Sequence, residues 1–290
     1  GAFEAILCTV TYDKNGGDGD MTPDAAVVGV AFELPACTFT SPTGQQFNAW
    51  AIGSVSGTPV SAGNTYTFDV DTTVFALWEP ANYQVKVNGG VSDPSDSAAY
   101  GTTVTITANP PGGQQFKNWA IVSGAPALAD PNVSPTTFLM PANDVEITAT
   151  FENIPVTGVT LDRTALTLTV GGAVTLTAAV EPADAANQNV TWSSDKPAIA
   201  AVDNGVVTAV SVGTATITVT TVEGSHQATC TVTVNPVSVT GVTLDQETLT
   251  LTAGGATGTL TATVAPADAA NKNVTWASSN EAVATVADGV

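Results

Sequence analysis

Histidine and cysteine are scarce in this chain, and their scarcity removes several kinds of site. Among 290 residues there are one histidine and three cysteines. A Ser–His or Cys–His–acid catalytic set would need His226, which lies in HQATCTVTV, an alternating stretch typical of a strand. Metal sites that need clustered histidines and cysteines are excluded for the same reason. We therefore expect no enzyme, no catalytic residues and no cofactor-binding residues.

Basic residues are also few. The chain has 6 Lys and Arg against 26 Asp and Glu, which makes the formal net charge −20 and the pI about 4.1. Nucleic acid and anionic membrane surfaces repel such a chain, so neither is expected as a partner. No apolar run reaches the length of a transmembrane helix, which predicts no membrane insertion. The start, GAFEAILCTV, lacks the basic region of a signal peptide.

The three cysteines permit at most one intramolecular disulfide. Cys8 and Cys37 fall in the same part of the chain and could meet across neighbouring strands, whereas Cys230 is distant in sequence. The alternative is three small buried thiols on strands. The residues alone leave both interpretations open.

Thr, Val, Ala and Gly make up much of what is present. Hydrophobic residues are 43% of the chain and charged residues only 11%. This composition is too apolar for disorder, and it is too poor in Leu, Lys and Glu for helices. The sequence therefore predicts an all-β protein.

A long internal repeat organises the chain. Residues 156–206 recur at 239–290, with VTGVTLD, GGA, PADAAN and NVTW in the same order. The offset is 83 residues up to Ala256 and 84 from Thr259 onward, so Gly258 is one inserted residue. A period of this size indicates a whole small domain copied in tandem. We predict an elongated series of four modules with these bounds: 1–80, 81–153, 154–236 and 237–290.

The first module has the pattern of short strands between turns. Alternating segments near residues 8–13, 30–40, 45–52 and 65–79 are separated by Gly, Pro, Asn and Asp. The stretches TYDKNGG, LPACTFTSPTGQQFNAWAI and DTTVFALWE resemble the internalin-type B-repeat over residues 8–79. This resemblance implies a small β-grasp-like module, found in tandem on bacterial surface proteins. The aromatic residues expected in its core are Tyr12, Phe32, Phe47, Trp50, Phe68 and Trp78.

The second module is a diverged relative of the first. GGQQFKNWAIVSG echoes GQQFNAWAI and aligns Phe116 and Trp119 with Phe47 and Trp50 at an offset of 69. The stretch TTFLMPANDVEITATFE resembles the divergent form of the same repeat. Solvent-facing aromatic residues that bind sugar would have a similar pattern. We expect the rings to be core residues, because both copies keep them in the same apolar strand pattern.

The strand pattern of the third module predicts a β-sandwich, and so does that of the fourth as far as it extends. Trp192 and Trp276 are the expected core residues. VTGVTLD, LTLTVGG and ATCTVTV resemble the bacterial immunoglobulin-like domain, group 2, completely over 156–234 and partially over 239–290. The last module lacks counterparts of residues 207–234, which implies open sheet edges and an unfinished core. Either the natural chain continues or another chain completes the fold. The strands expected in the third module lie near 156–161, 165–169, 173–180, 189–192, 198–202, 206–210, 213–221 and 226–234.

One acidic loop, DKNGGDGDMTPD, has the composition of a calcium site, with Asp13, Asn15, Asp18 and Asp20 as its ligands. It departs from an EF-hand, because the sixth position needs glycine and holds Asp18. A plain turn is the alternative.

Bonds between Lys and Asn side chains, which stiffen some bacterial surface domains, need a core lysine beside an acid. Lys86 in YQVKVNGG comes nearest to that requirement.

Together these features predict a non-enzymatic stalk or adhesion region of a secreted or cell-surface bacterial protein. The chain would be monomeric and would contact a protein or glycan of a host or neighbouring cell through loops and strand edges. The alternative is an accessory carbohydrate-binding region of a large secreted carbohydrate-active enzyme. That role requires a coplanar exposed platform of aromatic side chains, and the candidates are Trp50, Trp78, Trp119, Tyr83 and Tyr100.

Overall fold

Alternating Thr and Val residues form strands in most of the chain. The computed structural model describes residues 4–290. β-branched side chains pack well on a pleated surface and favour extended backbone. No helix occurs in these residues, and the predicted all-β fold class is confirmed. The chain divides after Asn153 into two compact units.

The first module is built on a five-stranded sheet in the order β2-β1-β7-β4-β5, with a separate β3–β6 pair. β1 runs parallel to β7, and the remaining pairs are antiparallel. The strand predicted at 30–40 is wrong beyond Glu33, because Pro35 has no N–H to donate to a neighbouring strand. The segment predicted as one strand at 65–79 forms two strands. The strands are β1 (Leu7–Asp13), β2 (Asp24–Val27), β3 (Ala31–Glu33), β4 (Gln45–Ile52), β5 (Pro59–Val60), β6 (Thr65–Thr67) and β7 (Thr72–Pro80).

Two aromatic rings form the centre of the first core. Trp50 and Phe68 are fully buried, together with Leu34 and Val10, which the prediction omitted. The other four predicted aromatic residues are partly buried and pack against this core: Tyr12, Phe32, Phe47 and Trp78. Tilted and edge-to-face ring contacts connect these four to Trp50, Phe68 or each other, with centroid distances of 5.0–6.0 Å.

The second module repeats the pairing scheme of the first. Its sheets have the orders β10-β8-β14-β12 and β13-β11-β9. β8 is parallel to β14, as β1 is to β7, and β12 is antiparallel to β14, as β4 is to β7. A register shift follows Phe116 as it follows Phe47. The strands are β8 (Asn82–Asn88), β9 (Gly90–Asp93), β10 (Ser97–Ala99), β11 (Thr103–Ala108), β12 (Gln114–Ser123), β13 (Thr136–Leu139) and β14 (Val145–Asn153).

The third module is a sandwich whose main sheet has the order β16-β23-β22-β19. A β17-β21-β20 sheet and a β15–β18 pair complete it. The predicted strand 173–180 is interrupted and forms β17 and β18. The strands are β15 (Gly158–Leu161), β16 (Ala165–Thr169), β17 (Ala173–Thr175), β18 (Ala178–Glu181), β19 (Val190–Ser194), β20 (Ala200–Asp203), β21 (Val206–Ala209), β22 (Gly213–Thr221) and β23 (Gln227–Asn235).

The fourth module contains little regular structure. Within its described residues, strands form only at β24 (Gly241–Leu244) and β25 (Ala262–Ala265). They pair antiparallel in the register of β15 and β18, with Gly241 opposite Ala265 as Gly158 is opposite Glu181. The remaining sequence follows the turns of the third module without its sheets. Among all described residues, the structure contains no helix with the length and apolarity needed to span a membrane.

Candidate interaction surfaces and related proteins

The tryptophans considered for sugar binding lie mainly inside the cores. Trp50 and Trp119 are buried, and their indole N–H groups donate to the carbonyls of Pro35 at 2.9 Å and Val133 at 3.0 Å. A buried ring whose polar atom is already bonded cannot stack on a ligand from solvent. The core interpretation of the aromatic pairs is therefore confirmed for both tryptophans.

The other three candidates do not complete a platform. Trp78 packs edge-to-face on Phe47, and its N–H donates to the carbonyls of the turn that follows β1. Tyr83 packs against the second core. Tyr100 is 41% exposed, but its ring lies on the backbone of Gly44, where an added Cβ would approach to 2.3 Å. The five aromatic side chains are therefore used in packing.

The acidic loop after β1 bonds mainly to itself. The Asn15 N–H donates to Asp13 at 2.8 Å, and the Asn15 side-chain amide donates to the Ala76 carbonyl. Asp18 accepts from the Gly19 N–H and lies 3.6 Å from the Lys14 ammonium. These two contacts lower the pKa of the Asp18 carboxyl. Asp20 is exposed, and the calcium site stays a prediction.

The histidine, cysteine and acidic side chains do not cluster into a metal site in the described residues. In residues 4–290, no group of three or more His, Cys, Asp or Glu side chains is placed to hold a metal ion. The Nε2 atom of His226 lies 3.1 Å from the Val156 carbonyl, in a turn. Cys8, Cys37 and Cys230 are free thiols, and burial raises the pKa of Cys37 and Cys230.

Lys86 forms a surface ion pair. Its ammonium lies 2.8 Å from Glu146 on the neighbouring strand, and Asn88 donates to the same carboxylate at 2.9 Å. The hydrogen bonds from Lys86 and Asn88 lower the pKa of Glu146 and favour its charged form. Because the lysine side chain is 65% exposed, it does not lie in the core as an intramolecular Lys–Asn bond requires.

A free strand edge distinguishes the second module from the first. β5 covers the edge of β4 through the pairs Trp50–Val60 and Ala51–Pro59. β12 is the outermost strand of its sheet, and its exposed apolar side chains are Ile121 at 48% and Val122 at 58%. Such an edge can accept a strand from another protein.

An apolar groove of about 460 Å³ lies in the fourth module. Its walls come from the β24–β25 pair and from the segment around Trp276. The sequence predicts an unfinished core here, because counterparts of residues 207–234 are missing, but it does not predict which side chains line the opening. The apolar side chains that line the groove include Val239, Val242, Leu244, Val264, Val274 and Trp276.

Comparison with known proteins defines the class to which most of these modules belong. Residues 155–232 and 238–289 match the family model of the bacterial Ig-like domain, group 2. Residues 80–155 match that of the divergent InlB B-repeat domain. These segments match the two families, which occur in surface or secreted proteins and are typically non-catalytic. For residues 8–79 the B-repeat family stays a prediction, supported by the pairing scheme shared with the second module.

Individual relatives share only part of this chain. An Ig-like virion protein of Serratia phage KSP90 is 46% identical over 46% of this chain and 53% of its own length. A minor capsid protein of Enterobacteria phage T3 is 47% identical over 27% of this chain and 18% of its own. An alpha-L-arabinofuranosidase of Bifidobacterium longum is 43% identical over 29% of this chain and 8% of its own. The chain thus spans about half of the first relative and less of the others.

Proposed function

We propose that this chain is a non-catalytic adhesion region displayed on the surface of a bacterial cell or a virion, where it contacts protein partners through strand edges and loops. The observation that carries the proposal is the use of the large aromatic rings in cores and turns, while the β12 edge stays exposed. The five aromatic rings that a sugar-binding platform would use are already engaged in packing.

The relatives support the role of an accessory region that lies next to a catalytic or binding domain and is not that domain itself. Only 8% of the arabinofuranosidase matches this chain, and two relatives are phage structural proteins by name. Modules of this kind recur next to different functional parts, which is typical of accessory or display regions.

The β12 edge supplies the contact chemistry. β12 is the outermost strand of its sheet and exposes Ile121 and Val122, as strand addition requires. Nearer its middle, the Trp119 N–H already donates to the Pro131 carbonyl at 2.7 Å, so the free part of the edge is the end at Ile121 and Val122. Backbone bonding supplies affinity there, and the two side chains supply apolar area. A partner would place its own edge strand beside β12.

The test measures binding of the labelled 290-residue chain to intact bacterial cells, before and after protease treatment of the cells. We expect protease-sensitive binding that Val122→Lys weakens about 10-fold, because lysine on an edge strand opposes strand addition. The matched control is Val70→Lys, which places the same charge on an exposed valine in a turn and should leave binding unchanged.

Two results would contradict the proposal. The first is binding to insoluble arabinan or arabinoxylan that Val122→Lys leaves unchanged, which would support the carbohydrate-binding alternative. The second is hydrolysis of aryl arabinofuranosides by the purified chain, since an adhesion region has no turnover.

A further inference from the structure

The first two modules are joined by a single residue. β7 ends at Pro80 and β8 begins at Asn82, so Ala81 is the whole connection. One residue contributes two soft backbone dihedrals, φ and ψ, and these are the covalent freedom between the modules. The chain nevertheless divides into compact units after Asn153 and not here. A contact beyond the covalent connection is therefore expected to limit rotation at Ala81.

Backbone hydrogen bonds extend each module up to Ala81. The Ala81 N–H donates to the Gly44 carbonyl of the first module at 2.9 Å. On the other side, the Tyr100 N–H of the second module donates to the Ala81 carbonyl at 2.8 Å. Each peptide group beside Ala81 is thereby fixed to its own module. Any hinge between the modules is confined to the two dihedrals of Ala81 itself.

The ring of Tyr100 crosses this hinge. It lies against the backbone of Gly44, and a Cβ added to Gly44 would collide with three carbon atoms of the ring. Any residue with a side chain at this position would therefore displace the ring. Gly44 also has a φ of 73°, a conformation that glycine adopts without strain. The contact thus joins a side chain of the second module to the main chain of the first.

Both partners of this contact are anchored in their own modules. Gly44 directly precedes β4, whose first residue, Gln45, pairs with the end of β7. Next to Tyr100, the Gly101 N–H donates to the Met140 carbonyl at 2.9 Å, and Met140 is buried in the second core. A rotation at the hinge would therefore have to separate two anchored surfaces, not two loose loops.

We propose that Tyr100 is a latch that holds the first two modules in one fixed relative orientation, so that residues 7–153 move as a single rigid segment. Interfaces between modules of one chain usually permit relative motion unless the contact is large. Here a small contact suffices, because the hinge has only two soft dihedrals and the peptide groups on both sides of it are hydrogen-bonded.

A closed latch has a consequence for binding. A partner that contacts both modules meets a surface that is already ordered, and it does not have to immobilise the hinge on association. The latch concerns the orientation of the modules and not the identity of a partner. It can therefore fail while the adhesion role holds, and the adhesion role can fail while the latch holds.

The test measures residual dipolar couplings of backbone N–H groups in the 290-residue chain, aligned in a neutral stretched polyacrylamide gel. A closed latch requires that one alignment tensor fits the couplings of β1–β7 and β8–β14 together. Tyr100→Ala removes the ring and should make separate tensors necessary, whereas Tyr100→Phe keeps the ring and should still need only one. Two different tensors in the unchanged chain would overturn the proposal.

A matched pair of glycine variants tests the contact from the side of the first module. Gly44→Ala and Gly53→Ala each add a Cβ at a positive φ, 73° and 76° respectively. The Cβ at Gly44 meets the Tyr100 ring, whereas nothing lies within 4 Å of the one at Gly53. We expect Gly44→Ala to raise the hydrogen-exchange rate of the Ala81 amide about 10-fold and to make separate tensors necessary, and Gly53→Ala to change that rate less than about 2-fold. Equal effects of the two variants would overturn the proposal.

Discussion

The third and fourth modules share a repeated sequence, residues 156–206 and 239–290, yet one is a sandwich and the other holds a single strand pair. Their turns are alike. Asp162 accepts from the Thr177 N–H at 2.9 Å, and its counterpart Asp245 accepts from the Thr261 N–H at 2.8 Å. Local contacts thus form in both copies, whether or not the sheets form.

The packing of glycine on tryptophan is also the same in both copies. Gly205 has a φ of 85° and lies against Trp192, and Gly289 has a φ of 89° and lies against Trp276. An added Cβ would be 3.2 Å from the indole ring in each case. This contact joins a glycine turn to the segment that carries the tryptophan, and the fourth module forms it without counterparts of β22 or β23.

What differs between the copies is the long-range pairing. β16 and β19 are strands because β23 and β22 lie beside them, and their counterparts without such partners are not strands. Thr and Val favour extended backbone, but a ladder needs a second strand. Local sequence therefore determines the turns in these two modules, and strand pairing determines the sheets.

Completing the fourth module should have the largest effect. Appending a copy of residues 207–235 directly after Val290 restores the missing counterparts in register, because Val290 corresponds to Val206. We expect the module to unfold cooperatively with a free energy of unfolding of about 5 kcal/mol. Hydrogen exchange of residues 274–278 measures this. The control is an appended segment of the same composition whose apolar and polar residues do not alternate. Equal protection of residues 274–278 from hydrogen exchange by both segments would contradict the view that pairing with the restored strands forms the sheets.

Opening the third module is the converse change. Ile217 is fully buried in β22, so Ile217→Ala should lower the free energy of unfolding of the third module by about 2–5 kcal/mol. Exchange in β16 and β19 should rise toward that of their counterparts in the fourth module. Thr231→Ala, on the exposed face of β23, should cost less than about 0.5 kcal/mol. A loss below about 1 kcal/mol for Ile217→Ala would show that the hairpin does not hold the sandwich together.

Two glycine substitutions in the third module distinguish the cost of a strained φ alone from the cost of a strained φ with a steric clash. Gly205→Ala should cost about 3 kcal/mol, because it adds a strained φ and brings a Cβ within 2.7 Å of the Leu176 carbonyl. Gly171→Ala, where φ is 83° and nothing lies within 4 Å, should cost about 1 kcal/mol.

The corresponding glycine in the fourth module is Gly289. Gly289→Ala meets the Leu260 carbonyl at 2.4 Å, but this module has few long-range contacts to lose. We expect its hydrogen exchange to change less than that of the third module does with Gly205→Ala. An equal change in both modules would mean that the fourth is already a cooperative unit.

The smallest effect concerns pH. The Thr177 N–H, followed by Arg163, lowers the pKa of the Asp162 carboxyl from its ordinary value of 3.8. The charged carboxylate therefore stabilises the folded third module above pH 3.8, and this contribution is lost as the pH falls below 3.8 through the folded-state pKa. Urea unfolding followed by hydrogen exchange at pH 3 and pH 6 should show a smaller pH dependence for Asp162→Asn than for Asp184→Asn, an exposed turn carboxylate. The reverse order would contradict this assignment.

Much of the fold could be predicted from short patterns. The repeat offset aligned Trp192 with Trp276, and the Phe–Trp spacing aligned the two B-repeat modules, because both signals are carried by residues close together in the chain. The predicted strand at 30–40 was too long, since alternation continues past Glu33 while the antiparallel partner β6 begins at Thr65, directly opposite Glu33. β5 was not predicted, because two residues carry no periodic signal.

The candidate surfaces were harder to predict. The missing counterparts of 207–234 pointed to an unfinished core, but the β12 edge carries no mark in the sequence. β4 and β12 share the pattern QQF followed by NAWAI or KNWAI, and only β4 is covered by a neighbouring strand. Whether an edge is free depends on where a distant segment lies, and that is a property of the folded chain.

The all-β class, the resemblance of the modules to known families, the turns and the aromatic residues of the cores could all be predicted from the amino-acid sequence. Each of these follows from residue type and from contacts between residues close in the chain. Only the tertiary structure decided which segments become strands and which apolar side chains stay exposed. The physical reason is that a strand is stable only beside a partner, and the partners of β16 and β19 lie at the far end of their module.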